Sequence, residues 1–428
     1  MFMKADLVLV HANELLTMRG FSNKPKIGNE MRDLGIINDG AVAIKGDKII
    51  AVGTTKEVLE DLEKPVNVID VSGKVVSPGF VDPHVHLVFM GSREDELEMM
   101  IEGYTYLDIK KKGGGSFRTI KLTREADFWE LVRKTKRILD NMLIHGTTTI
   151  EAKTGYEMTL EGEIRQLEVI NMLNKLHPIE LIPTFLAFGI PPEWEGKEDE
   201  FSKEIATKWI PEIAKRNLAE YVDVSCDAGF FNVEQSRRIL DSAKRMGMKL
   251  KIHADWLTSS GGGKLAVELN AISADHLIHT PLDVIDELAA RGIIGVLLPT
   301  TPFCYLGKYA NAREYIRRGL PVALGTDVSA IDMCESMQMM MSIAAFQMKM
   351  TSAEVFSAAT INAAHSINRA HEIGSLEVGK KADIIIFDMP NHKFIPFHYG
   401  VNLVEKVIKN GRLVVDNGKI IYDETIEV

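Results

Sequence analysis

The stretch VVSPGFVDPHVHLVFMGSRE, residues 75–94, opens as an apolar run with a Pro-Gly break, passes through Phe80 and Val81, and delivers His84 and His86 one residue apart. In an extended strand alternate side chains point the same way, so the two imidazoles face one side at a spacing that suits a single metal ion. A His-X-His pair alone also occurs as ordinary polar residues of a strand. Its place at the end of a buried apolar strand, with further candidate ligands downstream, points to a metal site.

From about residue 76 to 370, short apolar runs alternate with amphipathic segments. The runs stand at 76–82, 147–152, 179–186, 221–226, 248–253, 271–277, 293–298 and 321–326. Helix-like stretches separate them at 124–145, 161–176, 201–218, 233–246, 260–269, 281–291 and 309–318. Eight strands with intervening helices predict an α/β chain with a (β/α)8 TIM-like barrel rather than an open sheet. The ends differ. Residues 5–10 and 40–53 read as strands, the latter a hairpin turning near Gly46-Asp47, and 382–390 and 404–422 read as strands with Asn-Gly turns at 410–411 and 417–418. Residues 1–75 and 371–428 are therefore expected to form one composite β-sandwich domain, and 76–370 the barrel.

The chain has 428 residues and a net charge of -10, enough length for a barrel plus an accessory domain. An acidic balance without a basic cluster argues against nucleic acid or an anionic membrane as partner. No secretory leader or membrane span is read, and Cys226, Cys304 and Cys334 stand apart, outside CxxC spacing. A cytoplasmic, reducing setting is expected, with the cysteines as packing residues.

On a barrel, the polar residues of chemical interest share one address. His84 and His86 follow strand one, Lys153 and Tyr156 follow strand two, His253 ends strand five, His276 ends strand six and Asp327 ends strand eight. The C-terminal ends of barrel strands form the catalytic face, so these residues converge. Three imidazoles and a carboxylate suit a transition metal with a position left for water, as a hydrolase needs. Asp327 is placed to take a proton from that water, and His276 to relay one or hold a developing oxyanion. The plainer alternative for His276 is a structural histidine beside Asp275.

Several long motifs carry a resemblance: GFVDPHVHLVFMGSREDE, YLDIKKKGGGSFRTI followed by LTRE, HGTTTIEAKTGY, YVDVSCDAGFFNVEQSRRIL, LNAISADHL, ATINAAHSI, GSLEVGKKADIIIFD and YGVNLVEKVIKNG, spanning about residues 36 to 412. The chain resembles the amidohydrolase superfamily and, within it, the imidazolonepropionase family. The resemblance implies one zinc or iron ion on His84, His86, His253 and Asp327, a homodimer, and a role in histidine degradation. It implies hydrolysis of 4-imidazolone-5-propanoate to N-formimidoyl-L-glutamate. It also places the substrate contacts on Arg93 and Tyr156, a guanidinium suited to a carboxylate and a phenol suited to a ring or amide edge. The alternative for Arg93 is an ion pair with Glu94, Asp95 or Glu96.

The chain departs from the family pattern around the substrate. It reads AFGIPP where the family carries a His within GAHAVPP, Trp256 where the family has Glu or Gln, and VSAIDMCESM after the strand-eight Thr-Asp where the family has an Asn and then a Gly-Ser or Gly-Thr pair. Trp256, Phe188 and Ser329 are then the substrate-facing positions of this chain. An alternative substrate is a more apolar cyclic amide or amidine that stacks on Trp256 and Phe188. A binuclear hydrolase would need a modified lysine, for which Lys153 is the candidate, but the family's own motif accounts for Lys153 and one metal is expected. The glycine run 113–117 is read as a loop over the barrel mouth, 259–263 as backbone room for the substrate, and the methionine-rich segment 337–350 as core or subunit contact.

Overall fold

The computed structural model describes residues 3–64 and 67–422. An eight-stranded parallel sheet has its strands side by side in chain order: Phe80–Val85, Thr147–Lys153, Glu180–Ala187, Tyr221–Cys226, Lys249–Ala254, Ser273–His276, Ile294–Leu297 and Val322–Leu324. Each overlaps the apolar run expected for it. Just past the eighth strand, Asp327 N–H donates to the His84 carbonyl at 3.0 Å and His86 N–H to the Val328 carbonyl at 2.9 Å. The ring closes as a (β/α)8 barrel, and it closes at the residues of chemical interest.

Apart from Glu180 and Lys249 at two strand starts, the strands are buried because helices cover them outside and side chains fill them inside. In the helix Phe128–Ile144, Asp127 accepts from the Glu130 amide while Glu130 accepts from the Asp127 amide. Its buried residues Leu131, Val132, Thr135, Ile138, Leu139 and Met142 follow the three-and-four spacing of one helical face.

Three local expectations are corrected. The run 76–82 is two strands: Val75–Pro78 pairs with Ile384–Phe387 in another sheet, and the barrel strand begins at Phe80. Gly79 makes the changeover, since a Cβ there would stand 2.2 Å from Thr148 Oγ1. The helix expected over 124–145 is divided into Ser116–Glu125 and Phe128–Ile144, because the Asp127 cap starts a new helix. Within 201–218 a π turn, Ile205–Trp209, precedes Pro211, whose ring supplies no amide to a regular ladder.

A four-stranded sheet (Lys48–Thr54, Gly40–Lys45, Leu7–Ala12, Asn67–Asp70) and a seven-stranded sheet built from both ends of the chain form a sandwich. Leu9, Val42 and Ile44 of the first share a buried cluster with Val76, Ile384, Ile386 and Ile408 of the second. Both Asn-Gly turns have two consecutive positive φ values, 49° and 74° at Asn410-Gly411 and 50° and 70° at Asn417-Gly418. That twist suits two-residue hairpins. The methionine-rich segment is the helix Met337–Met348, with Met337, Met340 and Met341 buried in the core. No helix among the described residues is long and apolar enough to cross a membrane.

Asp140, on the helix Phe128–Ile144, ties the far C-terminal segment to the barrel. It accepts from Tyr422 Oη at 2.7 Å, His177 Nε2 at 3.2 Å and Lys136 Nζ at 2.9 Å. Burial opposes its charge, but these donors hold its carboxyl down at about 2. A depressed carboxyl stabilises the fold above its unfolded value and loses that contribution as pH falls through the folded one. Asp140→Asn is therefore expected to cost about 2 kcal/mol at neutral pH, with the difference vanishing between about pH 4 and pH 2. Denaturant unfolding across that range checks it, and a pH-independent difference would contradict it.

Candidate active site

At the C-terminal mouth of the barrel the strand ends bring four imidazoles together. Ring centroids lie 5.2 Å apart for His84 and His86, 4.4 Å for His84 and His253, and 5.2 Å for His253 and His276. Asp327 Oδ1 stands 3.4 Å from His84 Nε2 and 3.2 Å from His86 Nε2. Two overlapping groups have atoms close enough to share a metal ion: His84 with His86 and Asp327, and His84 with His253 and His276. The second group brings His276, expected as a proton relay, into ligand range as well. His276 and Asp327 have φ values of 73° and 57°, a strained conformation for side-chain-bearing residues where the chain leaves its strand.

The donor set fits a cation. His84 Nε2, both ring nitrogens of His253 and His276 Nδ1 are buried without a hydrogen-bond partner. Such atoms are costly unless a bound group satisfies them. The nearby imidazoles hold the Asp327 carboxyl well below the usual range despite its burial. Burial pushes His86 down to about 4, which keeps it neutral and able to donate a lone pair.

Beneath this cluster lies a buried ionic network. Lys153 Nζ stands 2.7 Å from Glu151, 2.7 Å from Asp223 and 3.6 Å from Asp275, all fully buried. Asp275 Oδ2 in turn lies 2.6 Å from His84 Nδ1, and Asp223 Oδ2 lies 3.0 Å from His253 Nδ1, a contact outside hydrogen-bond angles. Burial and Lys153 oppose a charge on His84, but the bonds to Asp275 and Asp327 raise it to about 9 in the absence of a cation. The Asp275 carboxylate on Nδ1 turns His84 Nε2 toward the centre. Burial opposes the Lys153 charge too, yet Asp223, Glu151 and Asp275 keep it cationic.

Arg93, Tyr156, Phe188, Trp256 and Ser329 line one small cavity of about 40 Å³ together with His86, His253, His276 and Asp327. Arg93 is also paired with Glu96, through Nε at 3.0 Å and Nη2 at 2.6 Å. Burial pushes the Tyr156 phenol up, against the nearby Arg93 charge. Trp256 lies nearly parallel to His276, 5.4 Å away at 21°. Beyond Phe188 opens an apolar cavity of about 460 Å³ walled by Phe117, Met158, Phe230 and Leu257.

The two glycine runs have separate roles. Gly113–Gly115 form a short turn that enters the helix Ser116–Glu125 beside the cavity, with φ 76° at Gly115, whose amide donates to Glu96 Oε1 at 2.7 Å. In the second run the amides of Ser260, Gly261, Gly262 and Gly263 all donate to Asp255, at 2.9, 2.9, 3.2 and 3.2 Å. A Cβ on Gly262 would meet Ala254 Cα at 2.9 Å. The glycines wrap a carboxylate, and no backbone room for substrate is needed to explain them.

Sequence reasoning missed Asp223, Asp275, Thr301 and Asp332. Thr301 Oγ1 donates to Asp327 Oδ2 at 2.6 Å. The signal for the first two was available: charged residues inside fully buried strands, two residues apart as in Glu151 and Lys153 or Lys251 and His253, face the interior and need partners. Cys226 is buried, while Cys304 and Cys334 are half-buried, and all three are free thiols.

The family model described as "Amidohydrolase family" matches residues 75–414. The chain is 47% identical over 425 residues to an imidazolonepropionase of Alkaliphilus metalliredigens, covering 98% of this chain and all of that one. It is 47% identical over 419 residues to an imidazolonepropionase of Geobacillus kaustophilus, covering 97% and 99%. Among solved structures it is similar in fold to an adenosine deaminase of Xanthomonas campestris with bound zinc, with TM-score 0.72, 18% identity and coverage of 99% and 96%. An atrazine chlorohydrolase of Arthrobacter aurescens complexed with zinc gives TM-score 0.70, 16% identity and 97% of each chain.

The network predicts that the carboxylate behind a histidine sets how that histidine binds a cation. Asp275→Asn is expected to weaken zinc binding about 10- to 100-fold with the fold retained. Competition against a chelator, beside circular dichroism, measures this, and unchanged affinity in a folded variant would count against it.

Proposed function

The chain belongs to the imidazolonepropionase family of amidohydrolases and is a hydrolase, and from that premise we propose that it opens the ring C–N bond of 4-imidazolone-5-propanoate to give N-formimidoyl-L-glutamate. The observation that carries the reading is the convergence of unsatisfied imidazole nitrogens and Asp327 beside a cavity that also holds Arg93 and Tyr156.

His84, His86, His253 and Asp327 would hold one transition-metal ion, zinc or iron. Bound there, the ion supplies positive charge that polarises the ring carbonyl and favours ionisation of a nearby water. Asp327 accepts the proton of the attacking water, its other oxygen kept in place by Thr301. His276 donates toward the oxygen or nitrogen on which charge develops, with its ring stacked on Trp256. Arg93, aligned by Glu96, takes the propanoate carboxylate, and Tyr156 takes an edge of the ring. A single ion is favoured over two because Lys153, held cationic by its carboxylates, lacks the free amine that carbamylation requires. We further propose that residues 1–75 with 371–428 act as the accessory domain of a cytoplasmic homodimer whose barrel spans 76–370, with no nucleic acid or membrane as partner.

The zinc-loaded protein is expected to turn over 4-imidazolone-5-propanoate. His276→Ala is expected to lower kcat about 100- to 10,000-fold while keeping most of the metal. Ultraviolet loss of the imidazolone ring reads the rate. A folded, metal-loaded wild type without turnover would overturn the substrate assignment.

A further inference from the structure

We infer that the apolar cavity beyond Phe188 is a second compartment of the active site, which takes an aryl or branched-alkyl arm carried by the ring of a cyclic-amide ligand. The inference rests on the reading above that the catalytic cavity takes a cyclic amide, and it widens the class of rings that the chain binds.

The catalytic cavity is small. Its volume of about 40 Å³ has room for about three waters, so a ring that reaches the imidazole cluster must extend into neighbouring space. Two larger cavities adjoin it. One, of about 410 Å³, shares Trp256 and Tyr305 with it and is lined by His279 and Lys308. The other, of about 460 Å³, shares Ser116 and Phe188, and among the described residues no charged side chain lines it. Both have the size of a small-molecule site, but their chemistry differs. A charged or strongly polar arm in the second would lose its water with little in return, whereas an apolar arm gains in proportion to the area it removes from water.

The walls of that cavity are fixed in place. Phe188 stands between the two compartments, its ring steeply inclined to His86, 6.1 Å away at 71°, and to Phe230, 5.5 Å away at 69°. Met158 lines the cavity from a left-handed backbone conformation, φ 51°, that a methionine seldom adopts. The buried Glu163 carboxylate holds that turn, accepting from the amides of Gly155, Glu157 and Met158 at 2.9, 3.1 and 2.7 Å. Backbone strain held by surrounding bonds is characteristic of ligand-facing segments. Gly189 keeps the space open, since a Cβ there would stand 3.3 Å from Phe230 Cδ1 and 3.5 Å from Met158 Cε. The rings of Phe117, Phe188 and Phe230 offer edges and faces to a phenyl group.

The test is calorimetric binding to the zinc-loaded protein. The probes are hydantoin-5-propanoate, a stable cyclic diamide, and its 1-benzyl and 3-benzyl derivatives, which direct the arm to two sides of the ring. The wild type is expected to bind one of the two derivatives about 10- to 100-fold more tightly than the parent. Gly189→Leu, which fills the cavity, and Leu257→Gln, which makes a 38% exposed wall residue polar, should each remove most of that gain and leave binding of the parent unchanged. Zinc content and thermal unfolding show that each variant is intact. A wild type that binds neither derivative better than the parent, or a gain that survives in every intact variant, would overturn this inference and leave the cyclic-amide reading standing. No binding of any probe to the wild type at millimolar concentration would overturn both.

Discussion

The Lys153 ammonium, buried among Glu151, Asp223 and Asp275, is the interaction on which the mouth of the barrel depends. Carboxylates enclosed in a barrel would otherwise protonate or draw in water, because desolvation disfavours their charge. Despite burial, Lys251 and then Lys153 drive Asp275 well below the ordinary carboxylate range, and His253 and then Lys153 do the same to Asp223. Charged, Asp275 bonds to His84 Nδ1, and Asp223 stands 3.0 Å from His253 Nδ1. The lower barrel thus converts buried lysine charge into the orientation of His84 at the top and a negative charge beside His253.

Above that layer the loops are pinned by carboxylates of a different kind. Asp255 gathers four backbone amides and the Thr280 hydroxyl, and Asp227 gathers the amides of Leu257 and Thr258 and the Ser260 hydroxyl. Trp256 lies between these two anchors, so its ring is held against His276 by local hydrogen bonding on both sides. The pocket combines a rigid polar floor, an aromatic wall at Trp256 and Phe188, and an apolar space beyond Phe188. The departures around the family's substrate positions fall on the wall and leave the floor intact.

Much of this was legible in the sequence. Eight apolar runs gave the barrel strands because a strand buried on both faces is mostly apolar, its charged residues confined to positions that find buried partners. His84, His86, His253, His276 and Asp327 could be placed together because strand ends of a barrel share one face. The Pro78-Gly79 break was visible, but not that it divides strands of two different sheets, which depends on partners distant in sequence, Ile384–Phe387 and Thr148. Asp223 and Asp275 were passed over because each sits inside a motif that reads as an ordinary strand, and their meaning lies in partners 70 and 191 residues away. The glycines at 261–263 looked like space for a ligand, although their amides serve a side chain that precedes them in the same loop.

The most direct measurement is the protonation of the individual histidine ring nitrogens, by nitrogen NMR of zinc-loaded protein labelled at histidine and assigned with single substitutions. His84 and His253 should each carry their proton on Nδ1, facing Asp275 and Asp223, with Nε2 free of hydrogen. A proton on Nε2 of either residue would mean that the buried carboxylates do not orient the cluster, and the link from Lys153 to the site would be wrong.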